Sequence, residues 1–226
     1  MRQVAEHLET SHGVKISHTT VHNWLKKYVK LVGQHVKTLA GKTSERWHAD
    51  ETLVRVQGRH MVLWGLLDSE TRFLIATHIS QRRGEKDART FLRKGVEVSK
   101  RKPAEVVTDG LTSYPSAIEQ ECSEDDPLIH LQGPLSEALN NKMERFFRTV
   151  KARTKVAGGF GSEEGAKRFA EGFAIYYNFM KNHRSLGGNT PAQAMGLGPK
   201  RSWLDLITAA INSKKSPTKE NEKQSK

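Results

Sequence analysis

Trp47-His-Ala-Asp-Glu-Thr-Leu-Val-Arg-Val56 decides the fold class of this chain, because its aromatic and β-branched residues open the first strand-rich region and set Asp50 inside it. Working outward, three strands are expected at 47–57, 60–67 and 72–80, joined by the turns Gln57-Gly-Arg59 and Asp68-Ser-Glu-Thr71. A helix near 85–99 leads to a fourth strand at 104–108, whose apolar run Ala104-Glu-Val-Val-Thr108 stops at Asp109-Gly110. A helix near 113–121 and a short strand near 127–131 follow. Then comes Asn140-Asn-Lys-Met-Glu-Arg-Phe-Phe-Arg-Thr-Val-Lys151, where Met143, Phe146, Phe147 and Val150 recur at i, i+3, i+4, i+7 and mark a buried helical face. Asn140, Glu144, Arg148 and Lys151 form the adjoining polar stripe. The order is β-β-β-α-β-α-β-α.

Asp50, Asp109 and Glu144 therefore stand in a strand, at a strand end and on a helix, with 34 residues between the last two. Any one of them alone reads as a solvated surface charge. Together they suit a metal-dependent nuclease or transposase, because Mg²⁺ takes hard oxygen ligands and is usually held by a few carboxylates plus substrate phosphate. Arg148 and Lys151 lie one and two turns beyond Glu144 on its own stripe, so they are candidates to hold DNA phosphates beside the metal. Glu51 is not expected to be a ligand, since neighbours on a strand point to opposite faces. Asp68 and Asp87 read as turn and helix-surface acids.

The chain has 226 residues, 37 Lys plus Arg against 25 Asp plus Glu, a net charge of +12 and a pI near 9.8. That balance favours a polyanionic partner, and nucleic acid first among them. A single cysteine, Cys122, excludes an intramolecular disulfide and a zinc site built on two thiolates. No run approaches the roughly 18 apolar residues of a membrane span, and no secretory signal is visible; the expectation is a cytoplasmic, nucleoid-associated protein without membrane contact. His7/His12 and His18/His22 lack further ligands and read as polar surface pairs.

Residues 1–32 read as a helix-turn-helix unit: Val4, Ala5 and Leu8 mark a short helix, Ser11-His-Gly-Val14 the turn, and Ser17 the cap of a second helix with Val21, Trp24, Leu25, Tyr28 and Val29 on one face. As a DNA reader, it would present His18, Thr19 and Thr20 to the major groove and Lys26 and Lys27 to phosphates. The other reading is an ordinary amphipathic hairpin. Residues 33–46 read as a linker, 47–197 as the main domain with a further helix at 162–183, and 198–211 as a C-terminal helix. Residues 212–226 carry five Lys, two Glu and no aliphatic or aromatic side chain, the composition of a disordered basic tail.

These segments resemble the DDE insertion-sequence transposases, especially the prokaryotic insertion-sequence-6 type with its integrase-like core. The resemblance spans about residues 2–197. It rests on Trp47-His-Ala-Asp-Glu-Thr52, Val107-Thr-Asp-Gly110, the Asn140–Phe147 block, Tyr176-Tyr-Asn-Phe179 with Leu186-Gly-Gly-Asn-Thr-Pro191, and Ile16-Ser-His-Thr-Thr-Val-His-Asn-Trp24. It implies an α/β fold: a ribonuclease-H-like mixed five-stranded sheet flanked by helices, preceded by a small all-α helix-turn-helix unit. It places the catalytic, metal-holding acids on Asp50, Asp109 and Glu144, with two Mg²⁺ (or Mn²⁺) ions. The implied activity is DNA cleavage at element ends and strand transfer of the 3′-hydroxyl into target DNA. The implied partners are double-stranded DNA, as terminal inverted repeats and target, and further copies of the chain, as a dimer or larger assembly on DNA. The alternatives are an inactive transposase remnant or DNA-binding regulator, and a stand-alone ribonuclease-H-like nuclease. Two departures stand out. Family members usually carry some twenty or more residues before the position of Arg2, which implies an N-terminally truncated helix-turn-helix, and Lys181-Asn-His183 stands where relatives often read Arg-Pro-His.

Overall fold

The computed structural model of the chain describes residues 1–39, 41–123, 128–132, 134–156 and 158–215, with the side chains of all but 134–140 and 215. The chain divides into two compact units, one formed by Leu39–Lys200 and the other by Met1–Thr38 with Arg201–Lys226.

The larger unit is built on β1 (Arg46–Val56), β2 (Arg59–Asp68), β3 (Leu74–Ser80), β4 (Glu105–Val107) and β5 (Ile129–Leu131). They form one mixed sheet in the order β3-β2-β1-β4-β5: β1 runs antiparallel to β2 and parallel to β4, and β5 runs parallel to β4. The first half of β1 is buried on both faces, whereas beyond Thr52 it alternates between buried Val54 and Val56 and exposed Leu53 and Arg55. Helices therefore cover both faces only near Asp50. On one face lie Trp47, Trp64 and Leu66 under α3 (Glu85–Ser99) and α4 (Tyr114–Cys122), with Trp64 against Phe91 and edge-on to Tyr114. Gly95 lets α3 approach so closely that a Cβ there would collide with Leu66.

On the other face Val54, Val56, Leu63 and Leu67 pack under α5 (Pro134–Val156) and α6 (Glu163–Phe179) through Met143, Phe146, Phe147, Val150, Phe173 and Tyr177, the apolar faces anticipated for both helices. Asn178 of the Tyr176-Tyr-Asn-Phe179 motif seals an open edge: its Oδ1 accepts from Leu74 N at 2.8 Å and its Nδ2 donates to Leu74 O at 2.9 Å, replacing the strand that β3 lacks. The helix expected over 162–183 ends at Phe179. Lys181-Asn-His183 leaves it, because His183 N bonds Asn189 O across the turn Gly187-Gly188, where both glycines have positive φ. A short helix, α7 (Pro191–Ala194), follows, closed by a Thr190/Gln193 capping box.

The smaller unit contains α1 (Arg2–His12), α2 (His18–Thr38) and α8 (Trp203–Lys215). Gly13 ends α1 in the left-handed region, and Ser17 Oγ accepts from Thr20 N at 3.1 Å to cap α2. Three expectations change here. The linker does not begin at 33, because α2 continues to Thr38 with Val32 and Gly33 buried where it packs on α8. The covered stripe of α2 is Val21, Val29 and Val32, while Trp24 and Leu25 are exposed at 44% and 41%. The last helix runs to Lys215, so residues 212–215 are helical rather than part of a tail, and the tail beyond them lies outside the described residues. Among the described residues no helix is long and apolar enough to cross a membrane.

Candidate active site

Asp50 is the residue at which the two layers of the larger unit meet. It is paired in register with Gly65 of β2, and α5 lies on that glycine: a Cβ on Gly65 would be 2.8 Å from Phe146 Cε1 and 3.2 Å from Met143 Cε. The missing side chain is what allows α5, and with it Glu144, to settle over the strand that carries Asp50. Asp109 comes from the far side. The register of β4 with β1 ends at Val107↔His48, and the chain then turns, with Asp109 Oδ1 accepting from Leu111 N at 3.2 Å. Parallel pairing thus delivers Asp109 beside Asp50 just as the sheet opens.

Oxygens of Asp50, Glu51 and Asp109 all lie within 4.8 Å of one another. Glu51 thus stands closer to the other acids than strand alternation alone suggests. Strand alternation does send its side chain to the α3/α4 face, but Asp109 stands past the end of β4, where carboxylates from both faces can reach it. The side chain of Glu51 is 2% exposed; its Oε2 accepts from the hydroxyl of fully buried Tyr114 at 3.0 Å, and Nε of Arg83 is 3.6 Å from its Oε1. No local sequence signal marks Glu51, because Tyr114 and Arg83 are brought to it only by the fold. Glu144 is exposed on α5 and lies outside that three-residue set, but its charge is felt at Asp50.

Burial, reinforced by the charges of Glu51, Asp109 and Glu144 and opposed by the Glu51 N–H that Asp50 accepts at 2.7 Å, pushes the Asp50 carboxyl up to about 7. Burial and Asp109 likewise raise Glu51, against the pull of Tyr114 and Arg83. Crowded, desolvated carboxylates of this kind are costly unless a cation compensates them. The donor set is all hard oxygen, which fits a divalent ion of the Mg²⁺ type. Asp50, Asp109 and Glu144 are the residues that would hold it, with Glu51 within reach.

The other expected site residues lie elsewhere. Arg148 and Lys151 are exposed farther along α5, whereas the side chain of Asn140, placed on the same stripe, lies outside the described residues. His18, Thr19, Lys26 and Lys27 are exposed and Thr20 half-buried on α2, all in the smaller unit. Asp68 is a turn acid as expected: Oδ1 accepts from the backbone of Glu70 and Thr71 and from the Thr71 hydroxyl, and Oδ2 from Ser44 N. Lys142, two residues before Glu144, ties α5 to the same turn by donating to Ser69 O at 2.9 Å and Ser69 Oγ at 2.7 Å.

A mixed sheet in this order, with clustered acids on its first strand and past the end of its fourth and a third on the helix after its fifth, defines an integrase-like, ribonuclease-H-type polynucleotidyl-transferase core. The chain belongs to the DDE_Tnp_IS240 family, whose model, described as a DDE domain, matches residues 44–183. It is similar to the transposase for insertion sequence-like element IS431mec of Staphylococcus aureus (strain Mu50 / ATCC 700699), with 28% identity over 188 residues, 82% of this chain and 80% of that protein. The transposase for insertion sequence element IS257 in transposon Tn4003 of the same species matches to the same extent. In fold it is similar to a chain of the cryoEM structure of the simian T-cell lymphotropic virus intasome in complex with PP2A regulatory subunit B56 gamma. The TM-score is 0.52 at 15% identity, over 72% of this chain; the match spans 59% of the length of that viral chain.

Proposed function

We propose that this protein is a DNA transposase that cleaves phosphodiester bonds at the ends of its element and joins the freed 3′-hydroxyl to target DNA. One observation carries the reading: half-buried Asp50 and Asp109 converge with buried Glu51 in a carboxylate cluster beneath the helix that bears Glu144, within a chain of the DDE family. When bound, two divalent ions, Mg²⁺ or Mn²⁺, supply Lewis-acid stabilisation to the attacking and leaving oxygens of an in-line displacement. Asp50 from β1 and Asp109 from the turn after β4 would hold that charge, and Glu144 would close the set from a helix whose position is fixed by packing. The attacking oxygen of water or a 3′-hydroxyl gains a bond to phosphorus as the bond to the leaving 3′-oxygen breaks, so no covalent enzyme intermediate is needed. Arg148 and Lys151 hold the DNA strand beyond Glu144. On α2, His18, Thr19, Thr20, Lys26 and Lys27 read and hold the terminal inverted repeats, and two or more copies of the chain act together on DNA.

A regulator or inactive remnant kept only for DNA binding has no use for a crowded, partly desolvated cluster of like charges, which costs the fold stability. A stand-alone nuclease would have no use for the α2 surface. The test is cleavage and strand transfer by the purified chain on duplexes taken from the DNA flanking its reading frame, with Mg²⁺, with Mn²⁺ and with chelator. Metal-dependent cleavage lost in Asp109→Asn supports the reading, and cleavage by that variant at the wild-type rate sinks it.

A further inference from the structure

We propose that Arg83 receives a phosphate of the bound DNA on the α3/α4 face of the carboxylate cluster, and that Glu51, fixed by Tyr114, is the positioning residue that aims it. The inference rests on the phosphodiester-transfer reading and adds to it a second set of DNA contacts, on the opposite face of the sheet from Arg148 and Lys151.

Arg83 belongs to Gln81-Arg-Arg-Gly84, the short connection from β3 to α3. Ser80 anchors this connection, accepting from buried Trp64 Nε1 at 2.8 Å and donating to Arg82 O at 2.7 Å, so the backbone that carries Arg83 is tied to the sheet. The Arg83 side chain is 46% exposed and meets the protein through one edge, Nε at 3.6 Å from Glu51 Oε1. No other hydrogen bond or ion pair of its guanidinium is found among the described residues. A guanidinium has five N–H donors in one plane, so an ion-pair contact at Nε alone leaves both Nη groups open to a second oxyanion. The oxyanion at hand is phosphate, since a Glu51 oxygen lies within 4.8 Å of those of Asp50 and Asp109.

Glu51 is placed to orient rather than merely to neutralise. A half-exposed arginine does not require a carboxylate buried to 2%, and an ion pair open to solvent on one side adds little to stability. The buried carboxylate is instead fixed from behind: Tyr114, fully buried and edge-on to Trp64 at 5.8 Å, donates to Oε2 and leaves Oε1 for Arg83. Tyr114 fixes Glu51, and Glu51 draws the Arg83 cation toward the acid cluster, where it offsets the acids' repulsion of a polyanion.

The experiment compares wild type with Arg83→Ala, Arg83→Lys, Glu51→Gln and the Arg83→Ala/Glu51→Gln pair. Cleavage of a flanking-DNA duplex in Mg²⁺ is measured together with fluorescence anisotropy of the same duplex across a salt series. Arg83→Ala is expected to raise KM about tenfold or more, with a smaller change in kcat, and to reduce the salt slope of binding by about one. Arg83→Lys restores charge but not the two-edged geometry, so the salt slope recovers while KM does not. Glu51→Gln raises KM without shifting the Mg²⁺ requirement, and Arg83→Ala then adds little in its presence, because Glu51 acts through Arg83. The inference is overturned by an unchanged KM and salt slope in Arg83→Ala, by costs that simply add in the paired variant, or by a Glu51→Gln effect confined to the Mg²⁺ requirement. Arg83 is exposed, so folding is not at issue. If the wild-type chain fails to cleave, the transposase reading fails by itself, and the salt slope still decides for or against Arg83.

Discussion

Replacing Gly65 by alanine tests the idea that one absent side chain sets the distance between Asp50 and Glu144. The added Cβ would stand 2.8 Å from Phe146 Cε1, 3.2 Å from Met143 Cε and 3.4 Å from Phe147 Cζ. Carbon atoms rest at about 3.5–4.0 Å, so the Phe146 edge must retreat by roughly 0.7–1.2 Å. The ring has nowhere to turn, being 1% exposed and bounded by Phe147, Phe173 and Tyr177 at centroid distances of 5.0, 6.0 and 5.3 Å. The strain is therefore relieved by moving α5 as a body. Overpacking of this kind costs about 1–3 kcal/mol, partly offset by the roughly 0.5–1 kcal/mol that alanine gains over glycine within a strand. The net destabilisation, about 0–2.5 kcal/mol, corresponds to a Tm lower by at most several degrees, about 2–4 °C per kcal/mol for a domain of this size. Activity should suffer far more, since displacing a catalytic group by about 1 Å can cost ~10²-fold. Gly95→Ala is the matched control: its Cβ collides with Leu66 on the opposite face, where no helix carries an acid of the site. Melting and Mg²⁺-dependent cleavage are measured for both. Wild-type cleavage by Gly65→Ala, or an equal loss of activity per degree of Tm in Gly95→Ala, refutes the reasoning.

Three further outcomes follow from the site. Asp50→Asn, Asp109→Asn and Glu144→Gln should each abolish metal-dependent cleavage while circular dichroism stays native; wild-type turnover by any of them removes that residue from the site. In metal-free buffer the folded Asp50 carboxyl holds its proton to about 7 against 3.8 in its unperturbed form, so the folded state binds more protons in that window and this contribution to stability falls as pH rises through it. The fall is on the order of 4 kcal/mol at most. His48, His78 and His183, held neutral by burial, act in the opposite sense in both proteins, so the effect is isolated in the difference between wild type and Asp50→Asn. The variant should gain on wild type in urea unfolding between about pH 4 and pH 7, and parallel curves would remove Asp50 as the source. Finally, Arg148→Ala and Lys151→Ala should each weaken strand transfer about tenfold, whereas a chain ending at Ser213 should retain it. Silent point changes with a costly truncation would assign the DNA contacts to the C-terminal end instead.

What could be read from the sequence divides along a physical line. The strands and α5 were legible because burial imposes a period, as with Met143, Phe146, Phe147 and Val150, and Asp50 and Asp109, which the fold brings together, stood out because metal chemistry restricts the residue type. Gly33 misled: it reads as a breaker in a polar linker, yet it is buried inside α2, whose partner α8 arrives some 170 positions later in the chain. Trp24 and Leu25 misled for the opposite reason, since amphipathic spacing says which residues share a face but not whether another element covers it.

The surroundings of Glu51 are the part least visible in the sequence. Alternation along β1 sends its side chain to the face opposite Asp50, but it does not say how far the two faces are separated at Asp109. They are separated only while β4 lies alongside β1; after Val107 that barrier ends, and one aspartate can face carboxylates from both sides. A binding site at the carboxyl end of a parallel strand is thus open to residues from either layer, although period-two reasoning assigns it to one. The supporting residues follow from the same geometry. On the α5 side the requirement is for absent volume, at Gly65, and on the α4 side for a buried donor, Tyr114, with neither need written near Asp50 in the chain. Candidate acids can therefore be picked out from sequence, whereas Gly65, Tyr114 and Arg83, which surround them, become visible only when the two layers are brought together.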